Sequence, residues 1–202
     1  MVKAIPSSHA TEWLRRRHYA HRLPSISYAF AVFIGPEPIG VCTFGQPASL
    51  SLCKGICGPQ YRHLVLELNR LCVEDDAPKN TSSYLVGRAL RALPKPAIVV
   101  SYADSAQRHV GYIYQATNWL YTGKTTARTD IATPNGQHSR HYEKGGDYSK
   151  RIPRSSKHRY IYFHACTPDI VSSLRYPLLP YPKGDTVRYD ATANIGKQGA
   201  LL

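Results

Sequence analysis

With 202 residues, the chain has room for one domain and a real hydrophobic core. Lys and Arg number 26 against 13 Asp and Glu, a formal net charge of +13 with a pI near 9.7, which points to a polyanionic partner, nucleic acid before an anionic membrane surface. There is no run of about 18 apolar residues, and Met1-Val2-Lys3-Ala4-Ile5-Pro6 is not an apolar signal region, so neither a membrane span nor a secretory leader is expected and the cytoplasm is the expected location.

In chain order, Ser8 to His21 reads as a helix, with Thr11 or Ser8 as cap, Trp13 and Leu14 inward, and Arg15, Arg16 and Arg17 outward. Pro24 ends it. Ser27 to Ile34 and Ile39 to Phe44 read as a hairpin around Gly35-Pro36-Glu37-Pro38. Pro47 to Pro59 reads as a loop. His63 to Val73 alternates Leu64, Leu66 and Leu68 with Glu67 and Asn69, and predicts a long strand with room for a bulge.

A polar loop, Glu74 to Thr81, leads into a helix over Ser82 to Leu93, stopped by Pro94 and Pro96. The apolar run Ala97-Ile98-Val99-Val100 is a buried strand ending on Tyr102 and Asp104. A helix over Arg108 to Asn118 and a short strand over Trp119 to Thr122 follow. Thr125 to Lys157 is polar and basic, and Tyr160 to Ala165 is a strand. The expected fold class is α/β (α+β mixed): a mixed twisted sheet flanked by helices on both faces, with a basic C-terminal extension. The core spans about 8–127 and 157–166, with a basic insertion at about 128–157 and a Pro-rich tail at 167–202.

Four features carry chemistry. An acid, several phenols and two amides behind a buried strand are costly in a core and useful in a site. Asp104 is therefore a candidate general base, a role compatible with capping the next helix, and Tyr114 is a candidate general acid; Glu67 is a second candidate base. Pro78-Lys79-Asn80-Thr81-Ser82-Ser83 opens a helix whose free N–H groups bind anions, which makes Lys79, Asn80, Ser82 and Ser83 candidate donor-phosphate ligands, or else an ordinary cap on Thr81 or Ser82.

Between Arg128 and Arg159 stand eight Lys or Arg against three acids, with Tyr142, Tyr148 and Tyr160 interleaved. Arg140, Lys150, Arg151, Arg154, Lys157 and Arg159, with Arg15, Arg16, Arg17 and Tyr19, are expected to hold nucleic acid. The five cysteines are odd in number and irregularly spaced, as for free thiols in a reducing compartment. Cys53, Cys57 and His63 match no standard zinc spacing; a metal site is left unassigned.

Taken together, His18-Tyr19, Gly40-Val41-Cys42-Thr43-Phe44-Gly45, Glu67-Leu68-Asn69-Arg70-Leu71, the Asn80 to Leu90 helix, Ser101-Tyr102-Ala103-Asp104, Gly111 to Asn118, Tyr121-Thr122-Gly123 and Lys157-His158-Arg159-Tyr160 resemble the Mom family of Mu-like phages, whose members are similar to GNAT acyltransferases. The resemblance spans roughly residues 13 to 165. It implies conversion of adenine in double-stranded DNA to its N6-carbamoylmethyl form, which protects phage DNA from restriction in the host cytoplasm. It also implies donor-binding or catalytic roles for Arg70, Ser82, Ser83, Asp104 and Tyr114, with His18 nearby.

Typical acetyl-CoA enzymes of that fold carry Arg/Gln-x-x-Gly-x-Gly/Ala at the phosphate loop. Here Asn80-Thr81-Ser82-Ser83-Tyr84-Leu85 lacks those glycines, which leaves the donor open between acetyl-CoA and a charged tRNA. Tyr102, Trp119 or Tyr19 would stack on an adenine flipped from the duplex. Two rivals remain: an N-acyltransferase of the same fold acting on a protein or small amine, and a non-enzymatic DNA-binding protein.

Overall fold

The computed structural model describes residues 1–17, 24–131 and 151–184. Their order is β1 (Val2–Ala4), α1 (Ser7–Arg17), β2 (Tyr28–Ile34), β3 (Glu37–Gly45), α2 (Leu50–Cys57), β4 (Val65–Val73), α3 (Thr81–Ala92), β5 (Ala97–Asp104), α4 (Tyr112–Ala116), β6 (Leu120–Lys124), β7 (Arg128–Ile131), β8 (Arg151–Arg154), β9 (Lys157–His164) and α5 (Pro168–Ser172). Seven strands form one sheet in the order β1-β2-β3-β4-β5-β9-β6, and β7 and β8 form a separate ribbon. Within the sheet β4 and β5 are parallel and the other pairs antiparallel. The expected mixed sheet with helices on both faces is the architecture found.

The core follows from the period-2 alternation of the strands. On one face Phe30, Val32, Cys42, Phe44, Leu68, Val99 and Tyr160 pack under α3 through Leu85, Val86, Ala89 and Leu90. On the other, α1 covers Ala29, Ala31 and Val41 with Ala10, Trp13 and Leu14. Further along that second face, α2 and α5 cover Val65, Ile98, Val100 and Ile161. Among the described residues no helix is long and apolar enough to cross a membrane.

Three segments depart from expectation, and the tail takes a course that the sequence left open. Pro47 to Pro59 is not a loop: Ser49 accepts from the Leu52 N–H and caps α2, and Cys53, Ile56 and Cys57 give it an inward face that Gly55 masks in the sequence. The Arg108 to Asn118 helix shrinks to α4, because Asp104 instead caps a 3-10 turn over Ser105–Gln107, and Arg108 and Asn118 both take positive φ. The polar insertion contains the β7–β8 ribbon, and β9 starts at Lys157 rather than Tyr160. The tail is partly structured. After α5 it crosses the β6 edge, where the Leu179 N–H donates to the Tyr121 carbonyl and the Tyr181 hydroxyl to the Trp119 carbonyl.

Candidate active site

The site begins where β4 and β5 part. Their parallel pairing covers only Val65–Ile98, Leu66–Val99 and Glu67–Val100, although both strands run on. The cause lies in β4. Thr43 pairs with Arg70 and Phe44 with Leu68, so Asn69 is an extra residue bulged from the ladder. Its side chain is held on both sides, accepting from Thr43 Oγ1 (2.6 Å) and donating from Nδ2 to the Ser25 carbonyl (2.9 Å). Beyond the bulge β4 follows β3, and a cleft opens at the carboxyl ends of the two parallel strands, the place where open sheets take ligands.

On the α2 face this cleft is polar. Glu67 lies there on β4, partly buried. Burial pushes its carboxyl above the ordinary 4.5, and the charges of Arg70 and Lys157 pull part of the way back. Tyr102 stands alongside on β5. Burial, then the Glu67 charge, raise its phenol, against the opposing Arg159 and Arg128. Arg70 donates from Nη1 to the Asn69 carbonyl (2.7 Å).

On the α3 face, Ser101 and Tyr114 meet at 2.8 Å. Tyr114 packs between Trp119 (5.2 Å between ring centres) and Tyr160 (5.1 Å). The Tyr160 hydroxyl donates to the Val110 carbonyl, and Gln115 Nε2 donates to the Tyr160 hydroxyl (3.3 Å), which locks α4 over β9. Trp119 is fully buried and so is no platform for a base; Tyr102, only partly buried, keeps that role open.

Asp104 accepts from the Ala106 N–H (2.9 Å) and from Ser155 Oγ (2.5 Å), and faces Lys157 Nζ at 3.4 Å. Burial alone would raise its carboxyl; the two hydrogen bonds and the lysine outweigh that and hold it below 3.8. It therefore stays ionised with its oxygens occupied, which suits anchoring the base of the ribbon better than taking a proton.

At α3 the cap is neither Thr81 nor Ser82. Asn80, at φ 70°, occupies the position without a side-chain cap bond. Thr81 Oγ1 donates to the Pro78 carbonyl and Ser83 Oγ to the Asn80 carbonyl, so those hydroxyl protons are spent locally. The first-turn N–H groups of Ser82 and Ser83 remain candidate anion donors, with Lys79 exposed beside them.

The cationic residues expected to hold nucleic acid divide. Arg151 is exposed on the ribbon, as is Arg128, to which the sequence gave no such role, and Arg151 Nε donates to Thr129 Oγ1 (2.6 Å); Arg154 pairs in register with Arg128. Arg16 bonds Glu12 and Arg17 bonds Glu74, while Arg15 is exposed. Arg159 is turned inward, onto Thr122 and the ring of Tyr176, and so does not present itself to a backbone phosphate. His18, Tyr19, Arg140 and Lys150 lie outside the described residues. Among the described residues no three His, Cys, Asp or Glu side chains gather as a metal site. Sequence reasoning gave no role to Ser101 or Tyr176; a serine inside an apolar strand was the legible signal for the first, and none existed for the second.

The profile of the Mom protein family matches residues 1–183. Methylcarbamoylase mom of Escherichia phage Mu is 30% identical over 121 residues, 55% of this chain, and the alignment spans about half (50%) of that relative's length. Among solved structures, an N-acetyltransferase from Staphylococcus aureus Mu50 is similar with a TM-score of 0.49 at 15% identity, over 81% of this chain and 97% of that one. The ribosomal-protein-S18-alanine N-acetyltransferase from Escherichia coli gives 0.49 at 10% identity, over 83% and 95%.

Proposed function

The chain belongs to the Mom protein family, and from that premise we propose that it is a transferase that converts adenine in double-stranded DNA to its N6-carbamoylmethyl form. The observation that carries this reading is the partly buried Glu67 in the β4–β5 cleft, beside Tyr102 and facing the charges of Arg70 and Lys157. An aliphatic amine of a protein or small molecule is a cation at neutral pH and is repelled by such a cleft. The exocyclic amine of adenine is neutral and arrives on a polyanion that the same charges attract.

In this mechanism the adenine leaves the stack, because its amine is out of reach in the duplex. Tyr102 lies against the flipped base. Glu67, raised by burial towards the working pH, takes the proton from the attacking amine. Backbone N–H groups of β4 freed by the strand divergence polarise the donor carbonyl. Tyr114 delivers a proton to the leaving group from the opposite face of the cleft. The α3 N-terminus with Lys79 holds the donor's phosphates. Arg128, Arg151 and Arg154 of the ribbon hold the DNA backbone.

A glycyl amide of adenine and N6-carbamoylmethyladenine are isomers, so a glycyl donor would supply every atom added to the base and acyl transfer followed by rearrangement would suffice; acetyl-CoA would need both a further source of nitrogen and a two-electron oxidant for its methyl carbon. The test is to express the chain with a plasmid and digest the DNA to nucleosides. Mass spectrometry should find deoxyadenosine heavier by one carbamoylmethyl group, absent with Glu67→Gln. Unmodified deoxyadenosine, with acylated amines on protein or small molecules instead, would replace this reading by the N-acyltransferase one.

A further inference from the structure

We propose that Ser101 is a positioning residue whose hydroxyl sets the proton of Tyr114 at the β4–β5 cleft; this rests on the reading of Tyr114 as the proton donor. Ser101 is 1% exposed, in the apolar run Ile98-Val99-Val100. A hydroxyl is expensive there unless it is bonded, and valine or alanine would fill the strand at less cost. Its Oγ lies 2.8 Å from the Leu68 carbonyl and 2.8 Å from the Tyr114 hydroxyl. Leu68 is the first residue of β4 past its last pairing with β5, so the serine bridges the strands where they separate and reaches α4 from the same atom.

A serine has one proton and here has two acceptors at equal distance. While Tyr114 is protonated, the serine O–H is shared between the Leu68 carbonyl and the phenol oxygen, and the phenol's own proton is left for the leaving group. When the Tyr114 O–H bond breaks and its proton passes to the leaving group, the electron pair stays on the phenolate. The serine O–H then turns from Leu68 to that oxygen. No oxidant or further reactant is involved, and Tyr114 regains its proton from solvent. The proton stays on Ser101 Oγ throughout; the Leu68 carbonyl only holds part of the serine O–H until the phenolate takes it all, and the rings of Trp119 and Tyr160 fix the phenol within reach.

Two measurements on the full chain test this. In the first, the phenol of Tyr114 is titrated by NMR in protein labelled at the tyrosine ring, its resonance identified by its loss in Tyr114→Phe. Ser101→Ala should move that titration to higher pH, and Ser101→Thr should restore it. In the second, adenine modification should show kcat lower by about tenfold or more in Ser101→Ala, with KM within about twofold and recovery in Ser101→Thr. An unmoved Tyr114 titration overturns the proposal, whatever the activity. So does a lowered melting temperature with kcat unchanged, which would make Ser101 a strut for Leu68 alone. Because the titration needs neither donor nor DNA, a chain that never modifies adenine removes the function reading while the relay is still decided.

Discussion

The guanidinium carbon of Arg159 stacks 3.4 Å from the ring centre of Tyr176, while Nε and Nη2 of the same side chain bond Thr122 Oγ1 and the Thr122 carbonyl, both at 2.9 Å. One arginine thereby ties β9 to β6 and to the segment after α5. A planar fork that also stacks is not replaced by an ammonium. Arg159→Lys should cost about 1–2 kcal/mol of stability, from the lost stack and the lost second bond. It should leave the salt dependence of DNA binding unchanged, since the guanidinium is already occupied. Thermal melts and a plot of log binding constant against log salt check the two halves separately.

The ribbon predicts the opposite pattern. Arg128 and Arg151 are exposed there, and each phosphate contact they make releases condensed counterions. Arg128→Ala and Arg151→Ala should each weaken DNA binding on all sequences alike, lower the salt slope by about 0.9, and leave stability within about 0.5 kcal/mol. Filter binding at several salt concentrations gives the slope.

Gly111 is fixed by its neighbour. It sits at φ 82°, and a Cβ there would lie 2.4 Å from Cε2 of the Tyr160 ring. Backbone strain and the clash act together, and the ring cannot retreat because its hydroxyl holds Val110 and Gln115. Gly111→Ala should lose about 2–4 kcal/mol, read as a lower urea midpoint. It should also lower activity in the protein that remains folded, since Tyr114 lies on the helix that Gly111 starts.

Much of this was legible because it follows period. Alternation in Leu64 to Leu68 and the apolar run Ala97 to Val100 marked the two strands that frame the cleft, and Glu67, Asp104 and Tyr114 stood out as polar groups beside them. What was not legible depended on residues far apart in the chain. The division of labour between the two carboxylates is set by Ser155 and Lys157, some fifty residues from Asp104. The inward turn of Arg159 is set by Thr122 and Tyr176. A basic residue in a basic run reads as a phosphate ligand until the partner that occupies it is known. α2 was missed for a local reason, since Gly55 between Cys53 and Ile56 made its short apolar face look like a loop.

The two carboxylates should separate cleanly by pH and by amide substitution. Asp104 is held below 3.8 by its bonds, so the folded state binds fewer protons than the unfolded one as pH falls. Its stabilisation is complete above 3.8 and is lost as pH drops through the folded value. Asp104→Asn should therefore destabilise by about 1–2 kcal/mol at pH 7, and by less in acid. Glu67 has the opposite sign. Burial raises it above 4.5, so its contribution is full below 4.5 and is lost as pH rises through the folded value, where a charged carboxylate must be kept in a poorly solvated cleft. Glu67→Gln removes that cost. At pH 7 it should be at least as stable as the parent chain, while adenine modification falls by about a hundredfold or more. The acid limb of kcat/KM should fall above 4.5 and vanish with the substitution. Urea titrations at pH 4 and pH 7, beside the pH–rate profile, decide it: a Glu67→Gln chain less stable at pH 7 than its parent, or one that keeps its activity, would make the carboxylate a structural partner of Arg70 rather than the base.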